Sequence, residues 1–346
     1  MSDKAFYLPP DNDDLTNDFI NGEKIADKCD ISDISKLWVW MRGYNQCLTG
    51  WANSGKTVFA MYMMVIKSIF SHWKWCIWSP EEITSFKDEN GNMTRSAKFI
   101  YNRLIHIYTG KVPYKSWKER YGLNQMTLEE YLEAKSWVEY HFKVIDTGDD
   151  DTPDNICEGI NRTFGDYGID GYLIDPFKNI DLPNDTTTDK VMERVFKQFE
   201  KVSVRNDLVG LHIAHPRNMD EEKKHVKGKI DGPYRWVTSS MLLGGSAWEN
   251  SMDIINSWNR QEMHLDPKSP KGSLATFKMR NQELTGEKGL YDRIHFDYYR
   301  HRFLFNMIDP ILGEYMGGPK QNEIKFEKPF SKKKQEVDFN SNEAPF

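Results

Sequence analysis

An eight-residue segment, GWANSGKT, combines the residue types and spacing that hold the phosphates of a nucleotide. It runs from Gly50 to Thr57 and fits the pattern G-x-x-x-x-G-K-[ST]. Glycines let backbone N–H groups curl around phosphate oxygens, and a helix that begins after them adds the partial positive charge of its amino end. The pattern assigns Lys56 to the terminal phosphates and the Thr57 hydroxyl to Mg²⁺. The predicted nucleotide-binding residues of this loop are Gly50, Asn53, Ser54, Gly55, Lys56 and Thr57.

A carboxylate for the metal ion ends the apolar run of the segment GYLIDP. Asp175 ends this predicted strand, where it could hold Mg²⁺ through the water shell of the ion. An aspartate that only caps the next helix is the alternative. Because Pro176 comes next, the residue beside Asp175 cannot be a water-activating glutamate. A catalytic base must come from another strand.

Two adjacent carboxylates, Glu81 and Glu82, end another segment that begins with an apolar run, CIWSPEE. The apolar run predicts a buried strand, and Pro80 ends it because proline cannot donate to the ladder. Ligands of open α/β sheets bind at the carboxyl ends of the strands. Glu81 could therefore polarise water against a γ-phosphate, with Glu82 as the second choice. A solvated loop start is the alternative.

Short apolar segments alternate with helical ones from Tyr44 onward. The predicted strands are YNQCLTG, KWCIWSP, HFKVID, GYLIDP and LVGLHIAHP. This alternation is typical of a parallel, doubly wound α/β sheet. Beyond Pro216, the segments DIINSWNR, LATFKMRN and RIHFDYYRHRFLF predict further strands, joined as hairpins by HLDPKSPKGS and ELTGEKG. We expect an arm or linker at 1–40, an ATPase domain at 41–318 and a disordered tail at 319–346.

Composition limits the class of protein. The 346 residues are 39% hydrophobic and carry a net charge of −6, so the chain can bury a large core but does not attract nucleic acid by bulk charge. Four scattered cysteines without a CxxC pair suggest reduced thiols rather than a zinc ribbon or disulfides. The longest apolar stretch, 58–66, is too short to span a bilayer, and residues 1–14 lack a hydrophobic signal core. We expect a cytoplasmic protein with no membrane partner.

Taken together, these segments resemble hexameric, RecA-like replicative helicases: the DnaB group and the helicase half of phage primase-helicases and mitochondrial Twinkle. The likeness runs from about Gln46 to Phe303. LTGWANSGKT is similar to their nucleotide loop, WSPE to the segment of their catalytic glutamate, YLIDP to their magnesium-binding strand and IAHPRNM to their γ-phosphate sensor. The resemblance implies a RecA-like P-loop NTPase core, with a mostly parallel sheet flanked by helices and C-terminal β-hairpins.

The resemblance also assigns roles to single residues. It makes His215 the γ-phosphate sensor and Arg280, within FKMRNQELTGEKG, an arginine finger that reaches the nucleotide of a neighbouring subunit. Lys278 and Arg260 would assist this finger, and Tyr298 would stack on the base. A loop-edge histidine, a solvated arginine and a core tyrosine are the respective alternatives.

A charged segment after His215 carries five cations: Arg217, Lys223, Lys224, Lys227 and Lys229. It has no periodicity and predicts a mobile loop. In the family this loop lines the pore of the ring and follows single-stranded DNA, a contact that depends on salt and little on sequence. Because the loop also contains acidic residues at 220–222, a merely solvated loop is the alternative.

The resemblance therefore implies a phage replicative DNA helicase that hydrolyses ATP or dTTP with Mg²⁺ and moves 5′ to 3′ on single-stranded DNA as a hexameric ring. The acidic, Phe-terminated tail SNEAPF would recruit a separate primase, polymerase or single-strand-binding protein, or be inert. Two departures matter. We expect no primase activity, because the roughly forty residues before the helicase segment and the cysteine spacing do not fit a zinc-binding or primase-like half. Trp248, Glu249 and Asn250 also stand where relatives often carry a basic residue. The rival functions are a RecA-like ATPase that does not unwind DNA, such as a recombination mediator or helicase-loading factor, and an inactive ring subunit.

Overall fold

The computed structural model describes residue 16 and residues 19–87, 93–115, 125–183, 187–229 and 232–316. The strands are β1 (Asp27–Lys28), β2 (Val39–Trp40), β3 (Asn45–Thr49), β4 (Trp75–Trp78), β5 (Thr84–Lys87), β6 (Met93–Ser96), β7 (Phe142–Ile145), β8 (Gly171–Ile174), β9 (Val209–Ala214), β10 (Ile254–Asn259), β11 (Lys271–Met279), β12 (Gly289–Asp297), β13 (Arg302–Phe305), β14 (Ile308–Asp309) and β15 (Glu314–Tyr315). The α-helices are α1 (Lys56–Ser71), α2 (Lys98–Thr109), α3 (Leu128–His141), α4 (Pro153–Tyr167), α5 (Thr188–Asn206), α6 (Glu221–Lys224) and α7 (Gly245–Ser251).

An 11-stranded sheet forms the centre of the fold. Its order is β15-β14-β13-β12-β11-β10-β3-β9-β8-β4-β7. The strands from β10 to β7 are parallel, and those from β11 to β15 are antiparallel to their neighbours. This confirms the predicted α/β class, with a parallel core and C-terminal hairpins. β10 belongs to both parts, because it is parallel to β3 and antiparallel to β11.

Helices cover both faces of the parallel strands. Successive side chains of a strand point to opposite faces. Leu48, Ile77 and Leu173 pack in one cluster with α1, α2 and α3. Cys47 and Tyr172, each one residue away from a member of that cluster, pack in a second one with α4, α5 and α7. Burial on both faces explains why these strands are continuous apolar runs in the sequence.

Local chemistry sets the ends of several helices. The capping box of Thr127 and Glu130, in which each side chain accepts from the other residue's backbone N–H, begins α3. Pro153 occupies the first turn of α4, where its missing N–H costs nothing. Gly110 and Gly168 end α2 and α4 in the left-handed conformation that glycine adopts without strain.

The amino-terminal segment contributes to the core. Trp38 and Trp40 are buried, and the Trp38 ring meets that of Phe59 on α1 edge-to-face with centroids 5.4 Å apart. Residues 16 and 19–21 are helical, and β1 and β2 pair with each other. The division into an arm, a domain and a tail stays a prediction, and the tail at 319–346 lies outside the described residues.

A buried polar network supports β3. The Asn45 side-chain oxygen accepts hydrogen bonds from the Tyr172 hydroxyl (2.9 Å), the Ser203 hydroxyl (3.0 Å) and His212 Nε2 (3.2 Å). All four residues are buried. A buried donor that loses its acceptor costs about 1–3 kcal/mol, so this oxygen stabilises three elements around β3.

Two further findings concern the helices and the cysteines. No helix within the described ranges combines the length and apolar character needed to cross a membrane. All four cysteines are buried free thiols, and burial raises the pKa of Cys47 and Cys76 above its ordinary value.

Candidate nucleotide site

Strand register brings several strand ends to one edge of the sheet. Thr49 pairs with Ala214 across β3 and β9, while Ile174 pairs with His212 of β9 and with Trp78 of β4. The segments that follow these strands therefore leave the sheet together. They are the phosphate loop and the segments that carry Glu81, Glu82, Asp175 and His215.

The phosphate loop takes a shape that its glycines permit. Gly50 (φ +153°) lies against the Trp258 carbonyl of β10, and an added Cβ would overlap that oxygen. Gly55 (φ +89°) precedes α1 and faces open space. The Trp258 indole N–H donates to the Ser54 carbonyl at 2.8 Å, and its ring stacks on Phe59 with centroids 4.5 Å apart. β10 thus contacts the loop at Gly50 and Ser54, and its Trp258 ring also packs on α1.

The lysine of the motif is folded into the loop. Lys56 is buried, and its Nζ donates to the Trp51 carbonyl at 2.8 Å. Burial lowers the pKa of Lys56 to about 8. The charge of Lys178 also lowers this pKa, whereas the charge of Asp175 raises it. The ammonium therefore lacks a full set of acceptors and is suited to phosphate oxygens.

Asp175 and Thr57 meet beside this lysine. Asp175 is buried, and the Thr57 hydroxyl lies close enough to lower the pKa of its carboxyl. Burial raises the pKa of Asp175 to about 6, although Thr57 and Lys56 oppose the shift. A buried carboxylate without a cationic partner is costly, so a metal ion beside Asp175 would stabilise its charged form.

His215 and the two glutamates border the same site. Burial lowers the pKa of His215 to about 4, so its imidazole is neutral near pH 7. Glu81 forms an ion pair with Lys178 at 3.0 Å, and Glu82 forms one with Arg103 of α2 at 2.8 Å. The charge of Glu81 acts on both Asp175 and His215.

These residues fit a nucleotide and Mg²⁺. The Ser54 hydroxyl is buried in the loop without a hydrogen-bond partner among the described residues, as expected of a group that faces a ligand. Thr57 and Asp175 would hold the metal ion together with phosphate and water oxygens. No cluster of three metal-binding side chains occurs in the described part of the chain.

Comparison with known proteins identifies the fold. No family model matches the sequence, and no curated protein matches it by sequence. A solved ATPase domain of a DnaB-like helicase superposes with a TM-score of 0.60 at 13% identity, over 86% of this chain and 99% of that one. A DnaB-like replicative helicase, solved to show its interactions with primase, superposes with a TM-score of 0.61 at 13% identity, over 87% of this chain and 67% of that one. The chain has the fold of a DnaB-like helicase ATPase domain. The family resemblance found in the motifs is confirmed for the fold.

Arg280 and Lys278 lie at the other edge of this DnaB-like fold. Met279 pairs with Ile254, the first residue of β10, so Arg280 is at the amino ends of the parallel strands. A five-residue strand such as β3 is roughly 15 Å long, and the phosphate loop is at its other end. Arg280 donates to Asp253 at 2.7 Å, and Lys278 donates to the Glu249 carbonyl. Arg280 is therefore far from the phosphate loop of its own chain.

Arg260 and Tyr298 lie at the phosphate edge of the DnaB-like sheet, apart from Arg280. Arg260 follows β10, and its guanidinium donates to the Ser269 carbonyl at 2.6 Å and to the Tyr298 hydroxyl at 3.2 Å. Tyr298 is 37% exposed, with its ring against Phe296. The structure brings these two predicted residues together and separates Arg260 from Lys278.

The basic segment after His215 is partly ordered by local contacts. Lys223 and Lys224, on α6, pair with acidic residues three positions earlier, each at 2.6 Å. Buried His225 anchors the segment through a 2.7 Å contact between its Nδ1 and the Gly232 carbonyl. The other predicted DNA-binding cations, Arg217, Lys227 and Lys229, are exposed.

Sequence reasoning missed three residues of the site. Trp258 and Trp51 contact the loop from an adjacent strand and from within the motif, but in sequence they are ordinary apolar residues. Lys178 pairs with Glu81 across nearly a hundred residues. Its position three residues after Asp175, at the carboxyl end of a strand, is the signal that could have identified it.

Proposed function

We propose that the chain is the motor domain of a replicative DNA helicase, which hydrolyses ATP or dTTP and moves along single-stranded DNA. One observation carries the proposal: Lys56, Thr57, Asp175, His215 and Glu81 converge at one edge of a DnaB-like fold. The phosphate loop alone would support only nucleotide binding. Its combination with a carboxylate base and a polar neutral sensor supports hydrolysis.

In this proposal Glu81 accepts a proton from water as the water oxygen attacks the γ-phosphorus. The bond from that phosphorus to the bridging oxygen breaks, and the products are a nucleoside diphosphate and phosphate. Lys56 stabilises the charge on the leaving side. Mg²⁺ supplies further positive charge when bound. Neutral His215 contacts the γ-phosphate by a hydrogen bond and reports its presence to the basic segment that follows.

Assembly would complete the site. Arg280 would serve the nucleotide of a neighbouring copy, as the family resemblance implies, and its distance from the loop of its own chain supports this role. The half-exposed guanidinium is held by Asp253 until then. Lys278, two residues earlier on the same strand, would assist it. A hexameric ring is the assembly that the resemblance favours.

The basic segment would contact the DNA backbone through Arg217, Lys223, Lys224, Lys227 and Lys229. Arg260 and Tyr298 would hold the nucleobase, given their position at the phosphate edge. Movement from 5′ to 3′, a phage origin, a location in the host cytoplasm and recruitment of a primase, polymerase or single-strand-binding protein extend the proposal from the family resemblance.

The deciding experiment is the steady-state hydrolysis rate with and without single-stranded DNA, at concentrations that permit assembly. We expect strong stimulation by DNA, and none in Lys56→Ala, which removes the phosphate contact. A forked substrate then separates the two active candidates, because only a helicase displaces a strand. Hydrolysis indifferent to DNA would overturn the motor and favour a loading factor or mediator, and no hydrolysis at all would favour an inactive ring subunit.

A further inference from the structure

The two glutamates after β4 have different cationic partners. Glu82 pairs with Arg103 on α2, and both side chains are only about one quarter exposed, at 23% and 24%. Glu81 pairs with Lys178, and these side chains are 48% and 55% exposed. An ion pair in this setting is weak and exchanges readily with other charged groups. Glu82 is held in place, whereas Glu81 can be released.

The backbone of Lys178 is held by its neighbours, whereas its ammonium group is exposed. It lies in a short 3₁₀ turn, Phe177–Asn179, that follows Asp175. The Phe177 ring is buried against Phe196 and Trp248, with centroids 4.9 and 4.8 Å away. The Lys178 ammonium group is exposed at the end of a flexible four-carbon chain. This arrangement fixes where Lys178 begins while its charge can move between partners.

The charge of Lys178 is directed toward the phosphate site. Lys178 lines a cavity of about 370 Å³ together with Trp51 of the phosphate loop and His215. Its charge disfavours the protonated forms of Lys56 and His215, which lowers the pKa of both. The terminal phosphate of a triphosphate bound at Lys56 could accept hydrogen bonds from more than one cation. Lys56 and Lys178, which repel each other, would then both be attracted to that phosphate.

We propose that Lys178 is a positioning residue that exchanges Glu81 for the terminal phosphate of a bound nucleoside triphosphate. The exchange frees the Glu81 carboxylate to accept the proton of water only when a γ-phosphate is present. A nucleoside diphosphate has no γ-phosphate to accept from Lys178, so Glu81 then stays paired with Lys178. The inference rests on the proposed function and adds to it a means by which the site distinguishes substrate from product.

Equilibrium binding tests the exchange without hydrolysis. We would measure Kd for a non-hydrolysable triphosphate analogue and for the corresponding diphosphate, with Mg²⁺, in the wild-type chain and in Lys178→Met, Lys178→Arg and Arg103→Met. We expect Lys178→Met to weaken the triphosphate about tenfold and to leave the diphosphate within about twofold. Lys178→Arg should recover most of the loss, because it retains the charge. Arg103→Met, which breaks the Glu82 ion pair instead, should match the wild type for both ligands.

The outcomes separate this inference from the proposed function. If wild type and Lys178→Met show the same ratio of diphosphate to triphosphate Kd, Lys178 does not contact the terminal phosphate and the inference is wrong. Equal loss for both ligands is one form of this result, and it would indicate a structural role for Lys178. Failure of the wild-type chain to bind either nucleotide would instead overturn the proposed function.

Discussion

At the scale of single residues, close approach of backbone explains more than motif membership does. Gly50 is part of the phosphate-loop pattern, but its immediate constraint is the Trp258 carbonyl on the neighbouring strand. Gly55 faces open space and is constrained by its backbone angle. The pattern predicts that both are glycine, yet the physical reasons differ and only the structure separates them.

Replacing Gly50 with alanine should therefore damage the site through packing. We expect Gly50→Ala to lower the free energy of unfolding by about 1–3 kcal/mol and to abolish nucleotide binding, because the loop must move away from β10. Urea unfolding and nucleotide titration measure the two effects. Gly165→Ala is the matched control: it lies in α4 with no atom near the new methyl group, so we expect stabilisation of about 0.5–1 kcal/mol. Normal nucleotide affinity in Gly50→Ala would contradict the close-approach argument.

His212 gives the core a defined response to acid. Burial lowers its pKa to about 3, below the ordinary value of 6.5, and its Nε2 donates to Asn45. A depressed folded-state pKa means that the folded chain binds fewer protons than the unfolded chain between these values. The contribution of neutral His212 is complete above pH 6.5 and is lost as the pH falls from 6.5 toward 3.

We therefore expect His212 to remove up to about 1.4 kcal/mol of stability for each pH unit below 6.5. The measurement is urea unfolding between pH 7.5 and 5 in wild type and His212→Gln, which retains a donor but does not titrate. Other groups titrate in both proteins, so the difference between the two slopes is the informative quantity. Parallel slopes would show that His212 is not the group responsible.

At the scale of elements, Tyr234 and Arg235 connect the phosphate loop with the basic segment. The Trp51 indole N–H donates to the Arg235 carbonyl at 2.8 Å, and the Trp51 ring lies 5.9 Å from that of Tyr234. Tyr234 in turn packs on His225, with ring centroids 4.7 Å apart. Since Lys56 donates to the Trp51 carbonyl, these packed groups would carry a change at a bound phosphate to the basic segment.

Removing the Tyr234 ring should weaken this connection. We expect Tyr234→Ala to reduce the stimulation of hydrolysis by DNA about fivefold, a coupling loss near 1 kcal/mol. The ratio of stimulated to unstimulated rate is the measurement. Trp236→Ala is the control, since Trp236 packs on Phe277 and not on the phosphate loop. An unchanged ratio in Tyr234→Ala would show that the contact does not transmit nucleotide state.

The elements that could be predicted from sequence are those whose pattern is local. Of the six parallel strands, β3, β4, β7, β8 and β9 appear in the sequence as apolar runs because helices cover both faces of this part of the sheet, and the loop that follows β3 has a specific motif. Short polar strands such as β5 and β6 carry no such pattern. The role of Trp258 depends on a contact across 204 residues, which no window of sequence contains. The same limit hid the pairing of Glu81 with Lys178.

At the scale of the whole molecule, the two edges of the sheet predict how copies cooperate. Lys56→Ala should abolish hydrolysis, and Arg280→Ala should retain nucleotide binding but lose turnover. Mixing the two inactive proteins in equal amounts should restore about a quarter of the wild-type rate, because a quarter of random interfaces join an intact loop to an intact arginine. Hydrolysis measured after mixing and reassembly is the test. No recovery, or normal turnover by Arg280→Ala alone, would show that Arg280 does not act between copies.

The separation of Arg280 from the phosphate loop also bears on how an assembly ends. If Arg280 serves the loop of a neighbouring copy, the contact joins two different surfaces and is heterologous. The resulting row of copies then has two unlike ends. In an open row of any length, the copy at one end would have a phosphate loop without a neighbour's Arg280. The copy at the other end would have an Arg280 without a neighbour's loop. Closure of the row into a ring would complete both of these sites. A ring that opened to admit a DNA strand would lose one complete site until it closed again. Turnover per subunit would then report directly whether the assembly is closed.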